Sequence, residues 1–169
     1  REVYGNAGAD FLRARRLVEA GVSVVTVAAR FSVRIGDGVN DPGGWDTHGY
    51  NFRLLRAKLP IYDQAVAALL SDLSDRGMSE DVAVVIWGEF GRTPRIGDVT
   101  PDGRGHWPRA SCALIAGGGL RMGQAVGATD PRAENARHRP IHAQHVLATL
   151  YHVLGIDPAA TTLTDHSGR

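Results

Sequence analysis

Val82–Trp87 (Val-Ala-Val-Val-Ile-Trp) is a continuous apolar run closed by Gly88. It lacks the polar alternation expected of a strand with one wet face. It reads as a central strand covered on both sides, as in a parallel sheet. Residues 110–116 repeat the pattern before Gly117-Gly118-Gly119, and 22–29 form a third run rich in β-branched residues. Between these runs lie helical periodicities. Over 8–20, Phe11, Leu12, Leu17 and Val18 fall near one stripe, with Gly21 as a stop. Over 52–76, Leu55, Leu59, Tyr62, Val66, Leu69, Leu70 and Leu73 recur at spacings of three and four, and Gly77 closes the segment. Pro60 is expected to kink or break that helix. A last helix is expected over 142–154, with Val146, Leu147, Leu150, Val153 and Leu154 on one stripe and Gly155 as its end. Helices alternating with apolar strands point to one α/β domain, residues 1–169, with a mainly parallel sheet. In such sheets, ligands gather at the carboxyl ends of the strands.

The 169 residues are enough for a real core, and 43% hydrophobic with 22% charged is ordinary for a globular protein. Net charge is +1, and the basic residues form no block. Arg13, Arg15 and Arg16 read as a solvated helix face, so nucleic acid is not an expected partner. No stretch approaches the roughly 20 apolar residues of a membrane helix. The single cysteine, Cys112, lies in an apolar run and reads as a buried structural thiol.

Chemistry concentrates in three Gly-rich loops. The first, roughly 30–51, contains Trp45-Asp46-Thr47-His48. In an extended segment Asp46 and His48 point to one side and can reach one ion; the alternative is an Asx-type turn beside a surface histidine. Carboxylate and imidazole together suit zinc, manganese or iron, while oxygen-only ligation favours magnesium or calcium. The second loop is Gly88-Glu89-Phe90-Gly91-Arg92-Thr93-Pro94, directly after the 82–87 run. Glu89 there needs a metal, water or a cation such as Arg92. Arg92 and Arg95 could grip a phosphate or sulfate bidentately. The third loop, Gly103-Arg104-Gly105-His106-Trp107-Pro108, offers His106 as ligand or general acid, with stacking on Trp107 as the plainer role, and Arg104 as an anion contact. His138, His142, His145, His152 and His166 read as structural or exposed, with His142 able to help cap the last helix. Gly117–Gly119 lacks a phosphate-loop pattern and reads as a turn.

These runs together resemble a sulfatase-like family, domain of unknown function 1501, in the alkaline phosphatase superfamily. The resemblance is carried in order by 14–22, Gly44-Trp45-Asp46-Thr47-His48-Gly49, 88–94, His106-Trp107-Pro108 and the tail 147–156. It implies a three-layer α/β/α sandwich, alkaline-phosphatase-like, with divalent ions (zinc, manganese, calcium or magnesium) at the strand ends. Asp46, His48, Glu89 and His106 stand where metal ligands are expected, and Arg92 and Arg104 where a small anionic ester would be held. It also implies a hydrolase of phosphate or sulfate esters, a periplasmic or envelope location, and a chain corresponding to the carboxy-terminal part of a larger domain whose nucleophile lies elsewhere. Two departures favour a non-catalytic exported binding or assembly protein: Phe90 replaces the superfamily's paired histidine, and Gly105 replaces an aspartate before His106.

Overall fold

A computed structural model describes residues 3–5 and 7–168. In chain order it contains α1 (Ala9–Glu19), β1 (Val33–Arg34), β2 (Asn40–Asp41), α2 (Asn51–Asp75), β3 (Ala83–Trp87), β4 (Gly91–Arg92), β5 (His106–Trp107), β6 (Ala113–Gly117), β7 (Ala128–Thr129), β8 (Ala136–His138) and α3 (Ala143–Val153).

The expected parallel three-layer sandwich is not what forms. The strands pair only two by two and always antiparallel: β1 with β2, β3 with β6, β4 with β5, β7 with β8. The reason lies in the connection. A parallel neighbour needs a crossover that carries the chain back to the same end. Residues 88–112 instead double back through the β4–β5 hairpin, so β6 returns alongside β3 in the opposite direction, with Ala83 opposite Gly117 and Trp87 opposite Ala113. The apolar run is therefore only half covered. Val82, Val84 and Ile86 pack toward the helix core, while Trp87 is 45% exposed. Residues 22–29 join no ladder. They are extended, and from residue 25 burial alternates through Val25, Val27 and Ala29 to buried Phe31, the strand periodicity without a hydrogen-bonded neighbour.

The core lies between α1, α2 and the extended 25–31 segment, around Tyr4, Phe11, Leu12, Phe31, Ala65, Val66, Ala68, Leu69 and Leu73. Phe11, Phe31, Tyr62 and Trp45 interlock edge to face, with neighbouring centroids 5.6–6.2 Å apart. α1 presents Phe11, Leu12 and Arg15 inward, whereas Leu17 is exposed and Val18 only half-buried. Arg15 is thus not on a solvated face. Its Nε donates to Asp72 at 2.8 Å, and Tyr4 Oη donates to the same carboxyl oxygen at 2.8 Å.

α2 runs unbroken through Pro60, which lies on an exposed side. The missing proline N–H is one bond among a helix of 25 residues, anchored on both sides of it by buried Leu54, Lys58, Ala65 and Leu69. In the second half of α2 the expected stripe holds, with Val66, Leu69 and Leu73 buried and Tyr62 and Leu70 packed against the core, but in the first half Asn51, Leu54 and Lys58 are buried in place of Leu55 and Leu59. Lys58 explains the difference, because its ammonium reaches inward to Asp41 and the Gly44 carbonyl. α3 matches its expected span, but only Val146 is buried. Its Val153 lies against Gly118, in a turn where Gly117, Gly118 and Gly119 all have positive φ and the Gly118 N–H donates to the Ser79 carbonyl at 2.8 Å. Cys112 is exposed rather than buried, because it stands one residue outside the β6 ladder.

Candidate functional site

Three loops converge beside the amino end of α2, each with its own anchor. The first is fastened from below. Lys58, 1% exposed, places Nζ 2.7 Å from Asp41 Oδ1 and also donates to the Gly44 carbonyl. Trp45 donates Nε1–H to the Ala29 carbonyl at 2.7 Å while its ring packs on Phe31 and Tyr62. This fixes the backbone that enters Asp46-Thr47-His48.

That tripeptide forms an Asx turn. The His48 amide donates to Asp46 Oδ1 at 2.9 Å, and the His48 ring turns back so that Nδ1 meets the same oxygen. An imidazole facing a carboxylate in this way carries its proton on Nδ1, leaving Nε2 as the free acceptor. The Asp46 carboxyl is held below the usual range, chiefly by the His48 amide, which together with the His48 ring and Arg92 outweighs the opposing effect of burial.

The second and third loops meet as the β4–β5 hairpin, which sets Arg92 directly opposite His106. Arg92 spreads its guanidinium across the junction: 3.5 Å from Asp46 Oδ1, 3.5 Å from His48 Nδ1, 3.4 Å from the Arg104 carbonyl and 3.1 Å from the Trp45 carbonyl. Since Nδ1 carries its proton, the His48 contact is a near approach, not a hydrogen bond. Arg104 donates Nε to the Thr93 carbonyl at 2.5 Å and its other arm to the Arg92 carbonyl at 3.2 Å. Its backbone N–H reaches the Thr47 carbonyl at 2.9 Å, and Thr100 Oγ1 reaches the His48 carbonyl at 2.7 Å. Gly103 is required by this closeness: a Cβ there would fall on the His48 carbonyl oxygen. The His106 ring lies 4.7 Å from the His48 ring and 4.2 Å from the Phe90 ring, centroid to centroid.

The structure thus brings Asp46, His48, Arg92, Arg104 and His106 together. It leaves Glu89 exposed, without a side-chain hydrogen bond or ion pair to this group among the described residues. Arg95 is exposed and joins the loop only through its carbonyl, which accepts from Thr93. His138, His142 and His145 stay near α3, where the His142 N–H donates to His145 Nδ1 at 3.0 Å.

Residues not singled out in the sequence do much of the positioning. Asp98 accepts the Gly105 amide at 3.1 Å, and its carboxyl is held low, mainly by Thr93 and then by that amide. Asp102 takes the first two amides at the start of α2, Tyr50 N–H at 3.1 Å on its side chain and Asn51 N–H at 3.2 Å on its carbonyl. The signal for both was the Gly-Asp and Asp-Gly turn chemistry of 97–103.

A resident divalent ion does not fit this set as it stands. Among the described residues no three His, Cys, Asp or Glu side chains group around one point, and Asp46 Oδ1 is already engaged by His48 and approached by a guanidinium.

The chain belongs to the family described as protein of unknown function (DUF1501). The match spans residues 1–169, the whole sequence. No curated protein and no solved structure matches the chain. Among the described residues no helix is long and apolar enough to cross a membrane.

Proposed function

We propose that this DUF1501 chain carries an acid–base and anion-binding site of a phosphate- or sulfate-ester hydrolase. The observation that supports this reading is the triple contact of Asp46, His48 and Arg92, with His106 alongside. Asp46 orients His48 and leaves Nε2 free to take a proton. Arg92 supplies positive charge next to that base, where the anionic head of an ester would be drawn. The attacking hydroxyl, of water or of a side chain, gives its proton to His48 Nε2 as its oxygen bonds to phosphorus or sulfur. The ester C–O oxygen leaves with its bonding pair and takes a proton from His106 in its imidazolium form. The likeness of the 44–49, 88–94 and 106–108 runs to sulfatase-like proteins of the alkaline phosphatase superfamily supports the same substrate class, and with it a periplasmic or envelope location.

The test is a panel of aryl and alkyl phosphates and sulfates, assayed after chelation and again with zinc, manganese, calcium or magnesium added. Turnover in wild type with a loss of about 100-fold in His48→Ala and in Arg92→Ala is expected. A requirement for added metal would restore the expectation of a metal centre and would call for ligands beyond those grouped here. A second reading, a binding module that performs no chemistry, is favoured by one observation: the Arg92 and Arg104 guanidinium groups already donate to backbone carbonyls. Inorganic phosphate binding without turnover of any ester would establish it.

A further inference from the structure

The rings of His48, His106 and Phe90 follow one another at 4.7 and 4.2 Å, with interplanar angles of 55° and 36°. They make a short aromatic wall along one side of the site. Two of its three members remain reachable: the central His106 is exposed and Phe90, at one end, only half-buried. Arg92 stands at the His48 end, across the hairpin from His106. Charge thus lies at one end of the wall and an uncharged ring at the other. Phe90 contributes no proton transfer and no charge, and it is not among the core residues beneath the sheet. A half-exposed phenyl ring next to an imidazole offers a flat, apolar surface that other aromatic rings stack on.

Resting on the hydrolase reading, we propose that the site selects aromatic anionic esters. The phosphate or sulfate head meets Arg92, and the aryl group of the leaving alcohol lies along His106 and Phe90. Phe90 is then the residue that sets specificity, through contact with the aryl ring. The geometry also places His106 between that ring and His48, beside the oxygen that must be protonated as the aryl alcohol departs.

The experiment compares phenyl phosphate with methyl phosphate, and phenyl sulfate with methyl sulfate, by calorimetric binding and by turnover, on the full chain. Wild type is expected to bind the phenyl ester about tenfold tighter than the methyl ester. In Phe90→Leu that ratio should fall to about one, and in Phe90→Trp it should be kept or raised, with far-ultraviolet circular dichroism unchanged in both. Equal affinity for phenyl and methyl esters in wild type overturns the aryl inference and leaves the hydrolase reading standing. So does a ratio that survives Phe90→Leu. Failure to bind either ester or inorganic phosphate defeats both.

Discussion

Two arginine–aspartate networks in this chain use the same residue types for different ends. Between α1 and α2, Arg15, Asp72, Tyr4, Arg76 and Glu19 interlock, with the Arg15 side chain only 5% exposed. At the loop junction, Arg92 meets Asp46 and His48, and the Asp46 side chain is 68% exposed. The first network joins two rigid helices across the core edge, and every strong donor has a partner within it. The second joins three loops, admits solvent, and includes two imidazoles, His48 and His106. Composition therefore does not distinguish a structural charge cluster from one proposed to act on a ligand. Burial and the presence of a titratable, reachable base do.

The comparison breaks most sharply at Arg15. Arg15→Ala leaves Asp72 without its buried partner, and a loss of about 3 kcal/mol in urea unfolding is expected, with ester binding at the loop site unchanged. A loss below 1 kcal/mol would mean that Arg76 and Tyr4 hold Asp72 adequately.

Arg92→Lys tests the opposite case. The ammonium keeps the charge but cannot span Asp46 and two backbone carbonyls at once, so stability should change by less than about 1 kcal/mol while phosphate affinity drops about tenfold. If unfolding shifts as far as in Arg15→Ala, the loop junction is a structural clasp, and the binding role of Arg92 fails.

Alkaline titration separates the two networks by pH. Burial and the Asp72 carboxylate push the Tyr4 hydroxyl up to about 12. A group whose folded pKa is raised contributes stability that is complete below its unfolded value, near 10, and is lost as pH rises through the folded one. Wild type should lose up to about 2 kcal/mol of unfolding free energy between about pH 10 and 12. Tyr4→Phe should remove that decline. An identical alkaline limb in both proteins would show that Tyr4 is not its source.

The smallest effect is expected at Thr47, which lies between Asp46 and His48 but turns its side chain inward. It is buried, and its Oγ1 has no hydrogen-bond partner among the described residues. Thr47→Val replaces an unsatisfied hydroxyl by a methyl group of similar size, so a change within about 1 kcal/mol, toward greater stability, is expected in thermal unfolding. A loss above that size would mean that the hydroxyl has a partner, such as a bound water.

Much of the local structure could be read directly from the residues. The spans of α1 and α3, the glycine stops and the loop positions of Asp46 and Glu89 follow from periodicity and turn chemistry, which act over a few residues, whereas Arg92 and His106, read as loop residues, lie in the paired strands β4 and β5. Pairing direction could not be read in this way. The Val82–Trp87 run is equally compatible with a parallel centre and with the antiparallel ladder to β6, because its apolar character records burial and not the partner's direction. Burial phase along the first half of α2 was misjudged for a related reason: counting leucines overlooks Asn51 and Lys58, which are chosen by what faces them.

Local sequence determined that this chain has an amphipathic helix at each end and a long one between. It also determined that its carboxylates, imidazoles and arginines cluster in glycine-bearing loops. Tertiary structure decided which of them meet. His48 and Arg92 are 44 residues apart, and only the doubling back of 88–112 sets the β4–β5 hairpin against the Asp46 turn. The same loop geometry left Glu89 outside. A motif shows which functional groups a loop carries, but their distances depend on backbone paths closed by remote contacts such as Arg104 N–H to the Thr47 carbonyl.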